Sequence, residues 1–138
     1  MGRVAMGIWV ALLLAVIALG YVRLVPGDPA VWHRPPGVSE DADLKGGVKR
    51  RVPAGPGALA RLDAIIRATP RTRVLAGSVA EGMITYVTRS RVFGFPDYTT
   101  VQQQGQMLKI YGRLRFGRSD LGVNRARVEG WLRAFEAG

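Results

Sequence analysis

The fold of this chain is decided by the stretch at residues 106–116, which reads QMLKIYGRLRF. Its apolar side chains recur at every second position: Leu108, Ile110, Leu114 and Phe116. The positions between them carry mainly basic or aromatic side chains: Lys109, Tyr111, Arg113 and Arg115. Because the side chains of a β-strand alternate between two faces, this pattern predicts a strand with one apolar face and one basic face.

Four other segments have the composition of strands and are separated by breaks or turns: residues 47–53, 73–77, 83–93 and 98–103. The longest of them, MITYVTRSRVF, is rich in β-branched and aromatic side chains. The dipeptides Glu81–Gly82 and Gln104–Gly105 predict hairpin turns between neighbouring segments. Strands joined by such short turns are antiparallel.

Two segments show the three- and four-residue spacing of amphipathic helices. The first begins after Gly57, and its apolar stripe consists of Leu59, Leu62, Ile65, Ile66 and Thr69. The second follows a candidate cap at Ser119 or Asp120, and its stripe consists of Val128, Trp131, Leu132 and Phe135. We therefore predict an α+β domain over residues 48–138, in which two amphipathic helices cover a small antiparallel sheet of about four to five strands.

The N-terminal segment has a different character. Residues 4–22 form a run of nineteen uncharged residues between Arg3 and Arg23. As a helix this run spans roughly 28 Å, close to the ~30 Å hydrocarbon core of a bilayer. We interpret residues 1–23 as a transmembrane anchor or an uncleaved signal anchor. A cleaved signal peptide, with its site near Ala18–Gly20, and a buried core helix are the alternatives.

A location follows from this anchor as an expectation. The short N-terminal flank is basic, and long domains cross membranes largely regardless of their charge. We expect a single-pass protein of the inner (cytoplasmic) membrane whose C-terminal domain lies outside the cytoplasm, on the periplasmic side.

The segment at residues 24–47 links the anchor to the domain. It contains four prolines and the acidic group Glu40, Asp41 and Asp43, so neither a helix nor an inner strand is expected there. We predict an extended Pro/Gly-rich tether in which Trp32 is a packing anchor and His33 a surface residue. The charges of residues 1–46 cancel, so the whole net charge of +10 belongs to residues 47–138.

Composition excludes several kinds of site. The chain has no cysteine and one histidine, which excludes disulfides, thiolate metal sites and any site with two imidazoles. No phosphate-binding loop, metal motif or base–nucleophile pair is recognisable. We therefore expect no cofactor, no bound metal and no catalytic residue, and we predict that the protein is not an enzyme.

Arginines are concentrated in the second half of the domain. Arg89 and Arg91 are two apart on one predicted strand and Arg113 and Arg115 on another, so neighbouring strands would place all four on one face. Together with nearby arginines they form a candidate anion- or partner-binding set: Arg89, Arg91, Arg113, Arg115, Arg118 and Arg127. The alternative is a lattice of internal ion pairs with Asp97 and Asp120.

Two blocks in this region are distinctive. One is RSRVFGFPD at residues 89–97, and the other is RFGRSDLGVNRAR at residues 115–127. They resemble the bacterial and plastid family known as domain of unknown function 1499, over roughly residues 48–135. The resemblance implies an N-terminal membrane segment, which many members carry, and assigns no activity. Besides Arg91, Arg115 and Arg127, it marks as motif or structural positions Phe95, Pro96, Asp97, Ser119, Asp120, Gly122 and Asn124.

Two functions remain open at this point. The first is a membrane-anchored, non-catalytic envelope protein that docks to a membrane-protein complex through its arginine-rich patch. The alternative is a protein that binds an anion or a lipid headgroup in a small pocket beside the arginines. The basic charge would also suit a nucleic acid, but a membrane anchor and an outward-facing domain argue against that partner.

Overall fold

The computed structural model describes residues 2–138. The elements follow one another in the order α1 (Gly2–Leu24), α2 (Pro29–Trp32), β1 (Ala42–Leu44), β2 (Gly47–Pro53), α3 (Ala58–Arg67), β3 (Thr72–Ser78), β4 (Met83–Arg89), β5 (Pro96–Gln104), β6 (Met107–Leu114) and α4 (Val123–Ala137). After the long first helix, the chain is therefore an α+β domain, as the sequence predicts.

The strands form a single antiparallel sheet with the order β1-β2-β6-β5-β4-β3. It has six strands rather than the four to five that the sequence predicts. The unpredicted strand is β1, a three-residue edge strand in which Ala42 pairs with Lys49 across a tight turn. So short a strand, at an edge and half exposed, has no hydrophobic alternation that would reveal it.

Strand β4 ends earlier than predicted, at Arg89 instead of residue 93. The chain then turns back on itself, because the backbone N–H of Ser90 donates to the carbonyl of Phe95 and the hydroxyl of Ser90 accepts from the N–H of Phe95. Gly94 has a φ of +72°, a conformation that glycine adopts without strain. Residues 90–95 are consequently a loop, and we call them the β4–β5 loop.

Helices α3 and α4 cover one face of the sheet. The core between them consists of buried apolar side chains from both layers, among them Leu62, Ile66, Ile110, Val128 and Leu132. The predicted apolar stripes of the two helices supply most of the helical side chains in this core. The ring N–H of Trp131 in α4 donates to the hydroxyl of Thr69, just after α3. This face is the hydrophobic core that the sequence predicts.

The opposite face of the sheet is covered by residues 25–40, which we call the strap. The prediction that residues 24–47 contain no helix is wrong at α2, because Asp28 caps this short helix and accepts from the N–H of Ala30. Strand β1 lies at the edge of the sheet, and the prediction excluded only an inner strand. Pro36 and Val38 of the strap are buried. This face of the sheet is mixed in character, because Arg113 and Thr100 lie on it beside Tyr98, and the strap covers these side chains.

Two side chains of the strap fasten it to the sheet. The ring of Trp32 stacks on Tyr98, with centroids 4.2 Å apart, so its expected role as a packing anchor is confirmed. His33 is not a surface residue: its ring nitrogens lie 2.8 Å from the Thr85 hydroxyl and 2.9 Å from the Glu81 carboxylate. Gly27 allows the close approach, because a Cβ there would lie 2.7 Å from the Tyr98 hydroxyl.

Helix α1 stands apart from the domain for most of its length. Among the described residues it is one helix that is long and apolar enough to cross a membrane, by length and composition. None of its residues is buried, so the alternative of a buried core helix is wrong. Only its last turn contacts the domain, where Gly20 and Val22 become half-buried.

The stacking of Trp32 on Tyr98 predicts a measurable contribution to stability. We expect Trp32→Ala to lower the free energy of unfolding by about 2 kcal/mol, because it removes a partly buried ring that stacks on the fully buried Tyr98. The measurement is urea unfolding of the full chain in detergent micelles. Trp9→Ala, which removes an exposed ring from α1, is the matched control and should leave the midpoint unchanged. Equal midpoints for both variants would contradict the packing role.

Candidate functional site

Three of the predicted site arginines lie on the strap face of the sheet. Arg113 is opposite Tyr98 of β5, which is in turn opposite Val87 of β4. Residues directly opposite each other in antiparallel strands point to the same face, as do residues two apart. Arg89 and Arg113 therefore share a face, and Arg115 continues it just beyond β6. The strands β4 and β6 are not neighbours, because β5 lies between them.

Arg113 is held by the strap. Its guanidinium donates to the Trp32 carbonyl at 2.7 Å and to the Thr100 hydroxyl at 2.9 Å, between the rings of Trp32 and Tyr111. Burial lowers the pKa of Arg113 to about 10, which still leaves it charged at neutral pH. Its donors are satisfied by carbonyls, hydroxyls and aromatic rings, so the predicted ion pair with a carboxylate is wrong for this residue.

Arg89 and Arg115 bind the chain where it leaves α1. The guanidinium of Arg89 donates to the carbonyls of Val22, at 3.1 Å, and Val25, at 3.4 Å. Arg115 donates to the carbonyl of Pro26 at 3.0 Å. The last carbonyls of a helix have no partner within it and carry partial negative charge, so cationic donors there stabilise the helix end. These arginines fix the domain to α1.

The other members of the predicted set lie elsewhere. Arg91 is an exposed residue of the β4–β5 loop, so its predicted place on a strand face beside Arg89 is wrong. Arg118 is exposed in the loop after β6. Arg127 lies on α4, on the helix-covered face of the sheet. The six predicted residues therefore do not form one patch.

The motif residues on the helix-covered face form a chain of polar contacts that we call the clasp. Asp120 accepts from the side chain of Asn124 at 2.8 Å, Asn124 accepts from Arg127 at 3.1 Å, and Arg127 donates to Asp97 at 3.2 Å. Asn124 is fully buried. Asp120 also accepts from the backbone N–H groups of Gly122 and Asn124 and so satisfies a donor in the first turn of α4. The N-cap residue itself is Gly122, so the predicted cap at Ser119 or Asp120 is wrong.

The clasp attaches the N-terminus of α4 to the start of β5. Pro96 begins β5 opposite Arg89, and Asp97 follows it with its side chain on the helix side. Gly122 adopts a φ of +79° at the turn into α4, and the hydroxyl of Ser119 accepts from the N–H of Leu121. Phe95 is partly exposed beside the clasp. Asp97, Ser119, Asp120, Gly122 and Asn124 thus have structural roles that account for their residue types.

A cleft at the end of α1 is lined by arginines that the sequence does not predict to lie together. Its volume is about 370 Å³, and five of its lining residues are Arg23, Arg71, Arg73, Arg89 and Arg91. Arg73 is opposite Val87 in the sheet, which places it on the strap face beside Arg89. Of these five arginines, only Arg89 and Arg91 belong to the set that the sequence predicts.

The cleft is strongly positive. No aspartate or glutamate lines it, and none of the carboxylates of residues 2–138 forms an ion pair with its five arginines. Burial, followed by repulsion from Arg73 and other cations, lowers the pKa of Arg89. Among the described contacts, the guanidiniums of Arg23, Arg73 and Arg91 donate to no protein acceptor. The cleft can therefore offer unused donors and positive charge to an anion.

The residues that the structure describes contain no candidate metal site. Within residues 2–138, no group of three or more histidine, aspartate or glutamate side chains could hold a metal ion. His33, the single histidine, is engaged between the strap and the sheet.

Comparison with known proteins identifies the family. The sequence model of the family described as Protein of unknown function (DUF1499) matches residues 30–135. The chain belongs to this family. No curated protein and no solved structure is detectably similar to it. The match begins at residue 30, so it includes most of the strap as well as the segment from residue 48 onward.

The pKa values of two aspartates, Asp97 in the clasp and Asp43 in β1, are shifted in opposite directions. Burial raises the pKa of Asp97 above 3.8, while hydrogen bonding to Arg50 lowers the pKa of Asp43. A raised pKa means that the folded state binds the proton more tightly, so the contribution of Asp97 to stability is lost as the pH rises through its folded pKa. Carboxyl ¹³C NMR should find Asp97 titrating above Asp43.

Matched arginine variants test which arginine influences the pKa of each aspartate. Arg127→Leu should raise the pKa of Asp97 further, because Arg127 is its cationic partner. Arg125→Leu, two residues away on the same helix, should leave Asp97 unchanged and raise the pKa of Asp43. Identical effects of the two variants on Asp97 would contradict the clasp.

Proposed function

We propose that this protein is a membrane-anchored, non-catalytic receptor that binds the phosphate of an anionic lipid headgroup in the arginine cleft at the end of α1. The observation that carries the proposal is the composition of the cleft. Five arginines line it, no acidic residue accompanies them, and one of them, Arg23, is the last charged residue of the apolar helix.

The position of the cleft favours a headgroup as the anion. Residues 4–22 of α1 match the hydrocarbon core in length, so Arg23 belongs at the level of the phosphates. The side chain of Arg23 lies against Gly94, because a Cβ on Gly94 would meet its Cγ at 2.7 Å. The cleft therefore opens where lipid phosphates are most concentrated, and a ligand need not leave the bilayer to reach it.

The chemistry of guanidinium groups supports the same ligand. A guanidinium presents planar pairs of donors that match two phosphate oxygens, and its bonds to an anion are roughly twice as strong as neutral ones. Arg73 and Arg91 have unused donors in the cleft. The donors of Arg89 are used by the carbonyls at the end of α1. Its positive charge nevertheless makes the electrostatic potential of the cleft more positive.

The predicted docking of a membrane-protein partner through the arginine patch has less support. Arg113 and Arg115 lie under the strap and donate to its carbonyls, so they present little to a partner. We also propose, as the simplest arrangement of an N-terminal anchor, an inner-membrane location with the domain on the periplasmic side. The basic N-terminal flank supports that orientation.

A lipid-binding measurement tests the cleft. The full chain in detergent micelles is titrated with phosphatidylglycerol or phosphatidylcholine, and bound lipid is counted by native mass spectrometry. We expect phosphatidylglycerol to bind more tightly. The double variant Arg73→Gln/Arg91→Gln should weaken its binding at least about tenfold, because it removes charge-assisted hydrogen bonds worth about 1.5–3 kcal/mol each.

A second double variant controls for net charge. Arg51→Gln/Arg133→Gln removes two exposed arginines outside the cleft and should leave binding close to that of the unmodified chain. Inorganic phosphate is added as a competitor, and it should displace the lipid, because the arginines bind the phosphate group of the headgroup. Equal binding of the two lipids, or equal losses in the two variants, refutes the headgroup site.

A further inference from the structure

The β4–β5 loop exposes apolar side chains that the domain does not use. Val92 is 69% exposed and Phe93 is 51% exposed, although the sequence around them has strand-like hydrophobicity. Phe95 is 39% exposed and packs only loosely on Phe93, with ring centroids 5.8 Å apart. Neighbouring exposed apolar side chains of this size are uncommon on a soluble surface and indicate a contact with another molecule or a membrane.

The loop lies beside the last turn of α1. Gly94, between the two phenylalanines, contacts the side chain of Arg23. Nearby, Phe116 meets the ring of Tyr21 edge-on, with centroids 6.2 Å apart. Tyr21 precedes Arg23 by two residues, so Phe116 reaches about 3 Å further along α1 toward its apolar middle. The domain therefore contacts α1 below the level of its terminal charge.

We infer that the tip of the β4–β5 loop, Val92 and Phe93, inserts into the interface of the same bilayer that α1 spans. The inference rests on the membrane anchor in the proposed function and not on the headgroup site. Aromatic and aliphatic side chains at this depth lose contact with water, while the neighbouring Arg91 can extend its charge to the phosphates.

The fixed attachment of the domain makes a bilayer a better occupant of this surface than a second protein. Arg89 donates to the carbonyls of Val22 and Val25 on one side and to the carbonyl of Gly94 at 3.0 Å on the other. One guanidinium thus binds the end of α1 to the loop. When α1 spans a bilayer, the loop is held at the bilayer surface. The loop is then always close to lipid, whereas a second protein would have to diffuse to it.

The absence of cysteine from the sequence makes a direct test practical. Single cysteines introduced as Phe93→Cys, Val79→Cys and Leu13→Cys carry a nitroxide spin label in the full chain, reconstituted into phosphatidylcholine nanodiscs. Electron paramagnetic resonance then compares the accessibility of each label to oxygen, which concentrates in lipid, and to a water-soluble nickel chelate. A neutral lipid is used so that the arginine cleft is not required for the result.

The two other positions serve as references. Val79 is 43% exposed in the turn between β3 and β4, at the opposite end of β4 from the loop, about 20 Å away along the strand. Leu13 is in the middle of α1 and reports the anchor. We expect oxygen accessibility to exceed nickel accessibility at positions 13 and 93, with the larger excess at position 13, and the reverse at position 79.

The outcomes separate the inference from the function on which it rests. A label at position 93 that is as accessible to nickel as the one at position 79 overturns the inference, and so does a label shielded from both reagents, which would indicate a protein contact. An aqueous label at position 13 overturns the anchor and the insertion together. Insertion in neutral lipid without preference for phosphatidylglycerol would refute the headgroup site alone.

Discussion

Hydrogen bonds from three guanidiniums to main-chain carbonyls determine how this molecule is assembled. Arg89, Arg113 and Arg115 extend from one face of the sheet and bind the carbonyls of residues 22–32. Main-chain carbonyls that leave a helix or cross a sheet need donors, and buried cationic side chains need acceptors. Each requirement is met by the other, and the long apolar helix, the strap and the sheet consequently form one body.

Arginines with different roles are thus interleaved in the sequence. Those under the strap hold the chain together, and Arg127 joins α4 to β5 in the clasp on the other side of the sheet. A third group, Arg23, Arg73 and Arg91, has free donors at the end of α1. Mutations of the first two groups should therefore act on stability, while mutations of the third, whose donors are free, should leave the fold intact.

Sequence alone predicted the layers of the domain but not the contacts between distant segments. Alternation at residues 107–114 and helical spacing at α3 and α4 correctly located the core, because both patterns are local and periodic. The strap could not be recognised, because its prolines and glycines indicate only irregular backbone. Its one visible signal was Trp32, which did turn out to be a packing anchor.

The arginine cleft was missed for a related reason. Pairing between strands decides which arginines meet, and the predicted set contains only arginines after position 88. The predicted hairpin at Glu81–Gly82 implies that Arg73 lies beside β4, so the proximity of Arg73 and Arg89 could have been predicted from the sequence. The contribution of Arg23 was not, since it depends on the folding of the strap.

The folded strap also limits how far the domain can travel. Drawn out, residues 25–40 would reach about 50 Å, enough for a mobile head to sample a wide volume above its anchor. Packed on the sheet, they leave no such flexible linker, so an anchored copy that binds lipid as we propose would reach only the few lipids around its own helix. Encounters between the cleft and its ligand would then be governed by two-dimensional diffusion in the leaflet, so that the local lipid composition sets occupancy.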